Sequence, residues 1–204
     1  MRRFASIAIA GLAAALAAFG VSARAAEEPP HTIVLSDGDF EIRDYPSLTI
    51  AEVTVRADRN TAAYAGFRKL AAYIFGGNAG NRKIAMTAPV IEARAADAEG
   101  GPSRARVREG WTIRFVMPRG STLAELPKPE DRDIRLYEEP ATRYAVLRFA
   151  GVAEDGSTEA KTAELEAILK ARGLSAAGPP LIAQYDPPWI PGFMRRNEIM
   201  IPIR

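Results

Sequence analysis

YDPPWIPGFMRRNEIMIPI, Tyr185 to Ile203, and KIAMTAPV, Lys83 to Val90, are the two stretches whose reading decides the fold of this chain. In the first, Pro187, Pro188 and Pro191 fix φ at three nearby positions and bias Asp186, Pro187 and Ile190 toward extended backbone. The result is a stiff loop that holds Trp189 and Phe193 in place ahead of a final strand. Such a loop is either a lid on a pocket or a plug on a core. In KIAMTAPV, Pro89 withholds a ladder N–H, which predicts a strand at a sheet edge or bulge.

Working outward, the chain reads as a duplication. Phe40-Glu41-Ile42-Arg43-Asp44-Tyr45-Pro46 leads into a β-rich run, Leu48 to Val55, and a helix from about Asn60 to Phe75. Later, Ile134-Arg135-Leu136-Tyr137 with Pro140 leads into Arg143 to Phe149 and a helix from about Thr158 to Arg172. Two further strands close each half: Lys83 to Ile91 and Trp111 to Met117 in the first, Leu181 to Tyr185 and Asn197 to Ile203 in the second.

The helices rest on spacing and caps. Tyr64, Phe67, Leu70, Ala71 and Ile74 fall on one helical face, with Asp58 or Asn60 as N-cap and Gly76-Gly77 as terminator. Leu165, Ile168 and Leu169 form a shorter stripe between a Ser157 cap and Gly173. Because each helix is one-sided, each should lie on a sheet. Trp111, Ile113, Phe115 and Met117 alternate with Thr112, Arg114 and Val116, as a half-buried strand does. Glu92 to Gly110 has no apolar period and reads as a long hairpin connection. Duplicated β-β-α-β-β units imply an α+β domain with an antiparallel sheet and two helices related by a pseudo-two-fold axis.

The N-terminus reads as a leader. Arg2 and Arg3 precede an apolar stretch from Phe4 to Val21, and Ala23-Arg24-Ala25 has the small-x-small pattern of a signal-peptidase site. We expect cleavage after Ala25, a mature domain from Ala26 to Arg204, and a periplasmic or secreted location. An uncleaved anchor is the alternative, since the apolar stretch approaches the length of a span. The whole chain has 27 basic and 25 acidic side chains, and loss of Arg2, Arg3 and Arg24 leaves 24 against 25. That balance gives no basic face for nucleic acid. The absence of cysteine rules out disulfides, thiol catalysis and thiolate metal sites. A mature chain of this length suffices for one domain with a full core.

YAGFRKLAAYIFGGN (Tyr64 to Asn78), KIAMTAPV, FVMP (Phe115 to Pro118), YAVLRFAG (Tyr144 to Gly151) and the closing stretch, in that order, resemble the SOUL haem-binding protein family. The resemblance implies a distorted eight-stranded barrel-like sheet flanked by two long helices, similar to bacterial effector-binding domains. It also implies a cleft between sheet and helices able to hold a flat apolar ligand. The function to expect is non-enzymatic binding of haem or a related tetrapyrrole, by a monomer with no membrane-spanning segment after leader cleavage. Two alternatives stay open: a binding module for another small apolar or cationic ligand, and a hydrolase using the same cleft.

Catalytic constellations are lacking. His31, the single histidine, lies near the mature N-terminus, where chains are usually mobile, so neither a catalytic triad nor axial ligation is expected to use it. Glu138-Glu139 and Asp131-Arg132-Asp133 read as solvated surface. Glu198 is the acid whose burial discriminates: buried and unpaired, it would favour an enzyme. Haem iron takes His, Met, Cys or Tyr, which leaves Met86, Met117 and Met194 with Tyr64, Tyr73 and Tyr144 as candidates and the axial ligand undetermined. Methionines within strand motifs are more often core filling. Trp189 and Phe193 offer apolar enclosure, and Arg195 and Arg196 offer guanidinium forks for two propionates. Enclosure plus arginine contacts predicts modest affinity, with iron-free porphyrin binding about as well as haem.

Overall fold

The computed structural model describes residues 26–95 and 110–204. Along the chain run β1 (Thr32–Asp37), β2 (Phe40–Tyr45), β3 (Leu48–Val55), α1 (Arg59–Ile74), β4 (Val90–Arg94) and β5 (Trp111–Val116). Then follow β6 (Ile134–Glu139), β7 (Thr142–Ala150), α2 (Asp155–Ala171), β8 (Leu181–Gln184) and β9 (Arg196–Pro202). The strands form one curled antiparallel sheet, a half-barrel in the order β1-β2-β7-β9-β8-β4-β5-β3-β6. Exchanging β2–β5 with β6–β9 reproduces that order in reverse, so the duplication expressed by the sequence is a two-fold of the topology. The halves are interlocked. Tyr45 pairs with Thr142 and Leu48 with Glu139, so the two proline corners, Pro46-Ser47 and Pro140-Ala141, send their strands into each other's half. Neither half closes a sheet alone. β1 lies outside the duplicated unit, which makes nine strands rather than the eight expected.

Alternation along each strand gives the sheet two faces. On one, Ala51, Val53, Ile113, Phe115, Leu147, Phe149, Ile199 and Ile201 pack against Ala62, Leu70, Tyr73 and Ile74 of α1 and Leu165 and Leu169 of α2. On the other, Tyr45, Ile50, Ile91, Val116, Tyr144, Val146, Leu181 and Met200 form a second cluster. The expected cleft between sheet and helices is therefore occupied by core side chains.

Several expectations need correction. Lys83–Ile91 is not a strand: Lys83 to Thr87 is an irregular crossing tied down by Ile84 N–H to the Ile74 carbonyl at 2.8 Å and by the Thr87 hydroxyl to the Val116 carbonyl at 2.6 Å. The strand begins at Val90, after the proline, and is interior, between β8 and β5, rather than at an edge. On α1 the stripe is rotated. Tyr64 and Phe67 are exposed, and the buried face is Arg59, Ala62, Gly66, Leu70, Tyr73 and Ile74. Small residues set this docking: a Cβ on Gly66 would lie 2.4 Å from Ile113 Cγ1. Asp58 caps α1, its Oδ1 accepting the Thr61 N–H at 3.0 Å. α2 begins earlier than expected, and Ser157 sits inside it, donating to the Val152 and Glu154 carbonyls instead of capping. Of the expected hairpin connection, Glu92–Arg94 belong to β4, and residues 96–109 lie outside the described residues.

Candidate functional site

The loop between β8 and β9 turns its aromatics outward. Trp189, Phe193 and Met194 are 79%, 78% and 63% exposed. The loop's backbone is bonded within itself: Ile190 N–H to the Pro187 carbonyl at 3.1 Å, Met194 N–H to Pro191 at 2.9 Å and Arg195 N–H to Gly192 at 3.0 Å. Arg195 is a strut inside the loop, its Nε donating to the Ile190 carbonyl at 2.8 Å and its Nη2 to the Pro188 carbonyl. An apolar surface of this kind is held open at little further entropic cost when a ligand arrives.

Arg196 begins β9 on the helix-free face. Its backbone N–H donates to Asp186 Oδ2 at 2.6 Å, and its guanidinium lies 3.5 Å above the Tyr185 ring. Nη2 meets Glu28 Oε1 at 2.6 Å. Glu28 belongs to a strap, Ala26 to His31, that sequence reading treats as a tail. The strap is anchored: the Glu27 carbonyl accepts the Ala88 N–H at 2.9 Å, and Glu27 Oε1 accepts the Arg119 N–H at 2.7 Å. His31 is correspondingly packed, with its ring 5.0 Å from that of Tyr45.

Beneath the strap the helix-free face carries a buried ionic network. Arg43 forks onto Glu198, Nη1 to Oε2 at 2.8 Å and Nη2 to Oε1 at 3.1 Å, while its Nε holds Glu41 Oε2 at 2.6 Å. Tyr185 donates its hydroxyl to Glu198 Oε2 at 2.6 Å. Glu198 is thus buried but fully partnered, which is the arrangement of a structural acid and not of a poised base. Burial, with the Glu198 charge beside it, pushes the Tyr185 phenol far above its ordinary range, and burial near Glu139 does the same to Tyr144.

Across the pseudo-two-fold lies an open groove of about 940 Å³, lined by Tyr144, Leu181 and Ala93 with Glu52, Arg114 and Arg135. Within it Glu52 accepts from Arg114 at 2.7 Å, Arg135 at 2.8 Å and the Tyr137 hydroxyl at 3.0 Å. Among the described residues no group of three His, Cys, Asp or Glu side chains is placed to hold a metal ion, and no helix is long and apolar enough to cross a membrane.

The residues singled out from sequence therefore separate. Trp189, Phe193, Met194, Arg195 and Arg196 share one end of the molecule; Tyr144 lies in the second cluster on the helix-free face; Met86 and Met117 belong to the helix-side core. Tyr73 is buried there too, donating to the Pro127 carbonyl at 3.0 Å. Sequence reasoning missed Glu28, Tyr185 and Tyr45. The signal available was Glu27-Glu28 ahead of the rigid Pro29-Pro30, and the Glu41, Arg43, Tyr45 alternation on one strand face.

Solved structures share this architecture. The C-terminal domain of EcmrR aligns with a TM-score of 0.55 at 13% identity, over 81% of this chain and 96% of that one. An uncharacterized conserved protein from Listeria innocua aligns at 0.57 and 11% identity, over 89% and 94%. A hydrolase from Listeria innocua aligns at 0.53 and 11%, over 84% and 94%. At such identities the likeness is one of fold. No curated protein matches the sequence. The profile described as SOUL heme-binding protein matches residues 26–202, nearly all of the described structure; the chain belongs to the SOUL haem-binding protein family.

Proposed function

We propose that this protein binds haem or a related tetrapyrrole without catalysis, with the macrocycle resting on the β8–β9 loop and a propionate directed to Arg196. The observation that carries the reading is the outward display of Trp189, Phe193 and Met194 on a loop whose backbone is already hydrogen-bonded within itself. A rigid apolar platform of this kind suits the face of a flat ring. The residues fit the ring and its acid arms better than they fit iron. Met194 is the thioether the loop presents, and Tyr73 and Tyr144 lie in the two buried clusters. Iron, where bound, would supply redox and ligand-exchange chemistry that stacking on the loop does not require.

Glu198 and Glu52 each already hold guanidinium partners, which argues against the cationic-ligand and hydrolase alternatives. We place the mature protein outside the cytoplasm on the strength of its N-terminal sequence.

The test is an absorbance titration of the Trp189→Ala/Phe193→Ala double variant with protoporphyrin IX. Both side chains are exposed, so folding should be unaffected, whereas affinity should fall by about tenfold or more. Unchanged affinity would remove the loop from the site.

A further inference from the structure

The N-terminal strap places Glu28 on Arg196. The clue is a half-filled fork. Elsewhere on the surface Arg143 grips Asp44 with the paired edge of its guanidinium, Nε to Oδ1 at 2.6 Å and Nη2 to Oδ2 at 2.7 Å. Arg196 offers the same edge, but Glu28 meets only Nη2, at 2.6 Å. Arg196 Nε is, among the described residues, the one buried side-chain nitrogen or oxygen without a hydrogen-bond partner. Leaving a buried donor unmade is costly, and a carboxylate seated side-on would satisfy it.

The surroundings specify what else such a carboxylate should carry. The Arg196 guanidinium is stacked on Tyr185, which holds it flat, and the strap lays the His31 ring against Tyr45 a few residues from Glu28. The strap thus imitates a ligand with a carboxylate and a flat ring, and it fits imperfectly at the fork. Its own hold is divided between the Glu27 contacts to Ala88 and Arg119 and the single Glu28 ion pair.

We infer that Arg196, stacked on Tyr185, is a receptor for the carboxylate of a ring-bearing acid, and that the strap is a built-in competitor which such a ligand displaces through Glu28. This rests on the proposed tetrapyrrole function in one respect only, since a propionate is the acid that function supplies. The closed strap lowers apparent affinity by the fraction of molecules it occupies. Weakening Glu28 therefore strengthens binding of acids and leaves neutral ligands untouched.

The experiment compares protoporphyrin IX with its dimethyl ester on the unaltered protein, on Glu28→Gln and on Arg196→Lys. Glu28→Gln should tighten the diacid by about threefold or more, the gain expected when the closed strap occupies about two-thirds of the molecules or more, with the ester unchanged. Arg196→Lys keeps the charge but loses the fork, so it should weaken the diacid and spare the ester. Amide exchange at Ala88 and Arg119, the two N–H groups held by Glu27, should accelerate when the diacid binds. Equal effects on diacid and ester, or no effect of Glu28→Gln, would overturn the inference while leaving tetrapyrrole binding intact. If neither porphyrin binds any variant, the proposed function fails, and 2-naphthoate then tests the strap alone. Faster exchange at Ala88 and Arg119 with naphthoate supports the competitor reading, and unchanged exchange at saturating naphthoate refutes it.

Discussion

Arg59, the first residue of α1, donates from Nε to Glu92 Oε2 of β4 at 2.7 Å, and both side chains are buried. The same guanidinium donates from Nη1 to the Ala153 carbonyl at 2.7 Å and meets Asp155 at 3.2 Å. One cation therefore joins the start of α1, the sheet and the start of α2, which fixes both helices on one face and leaves the other face free.

Removing one partner of a buried pair leaves a bare charge. Arg59→Met should destabilise by about 3–5 kcal/mol, and Arg59→Met with Glu92→Met should recover much of that. Burial already raises the Glu92 pKa, with Arg59 pulling it back; without Arg59 it rises further. A carboxyl with a raised folded pKa favours the folded state below its unfolded value and loses that contribution as pH rises through the folded one. The deficit of Arg59→Met should therefore shrink on acidification toward the ordinary Glu range. Urea titrations across pH measure this, and a deficit that grows in acid would contradict it.

Gly66 should not tolerate a methyl group. Alanine normally favours a helix by about 1 kcal/mol over glycine, but here its Cβ would strike Ile113, and overpacking of that kind costs about 1–3 kcal/mol. Chemical denaturation of Gly66→Ala should show net destabilisation; a gain in stability would mean that α1 does not sit so close.

The helices, the strand alternation and the doubled topology were legible because each leaves a local period. The docking face of α1 was not. Tyr64 and Phe67 carry more apolar surface than Ala62 and Gly66, yet close approach to Ile113 selects the small residues. KIAMTAPV misled for a related reason: its apolar residues serve a crossing segment, and pairing waits until Val90. At the site, the exposed aromatics follow from the prolines. The partners of Arg196 and Glu198 do not, because Glu28 and Arg43 are distant in sequence and meet only once the half-barrel curls.

Arg195 shapes the loop from within, so Arg195→Ala should weaken porphyrin binding by about three- to tenfold through lost preorganisation. As the change lies near the surface, the melting temperature should move by less than about 3 °C. Equal affinity with faster amide exchange in the loop would show that stiffness is irrelevant to binding.

The leader reading has its own check. Mass spectrometry of protein recovered from its native host should begin at Ala26, the first residue of the strap. A full-length species held in the membrane would overturn export as a soluble protein.

The central claim is apolar stacking on the β8–β9 loop without dependence on iron. An absorbance titration of the protein with haem and with metal-free protoporphyrin IX tests it most directly. Both should bind saturably, with dissociation constants within about threefold, less than 1 kcal/mol apart. Saturable binding of haem alone, or of neither, would contradict it.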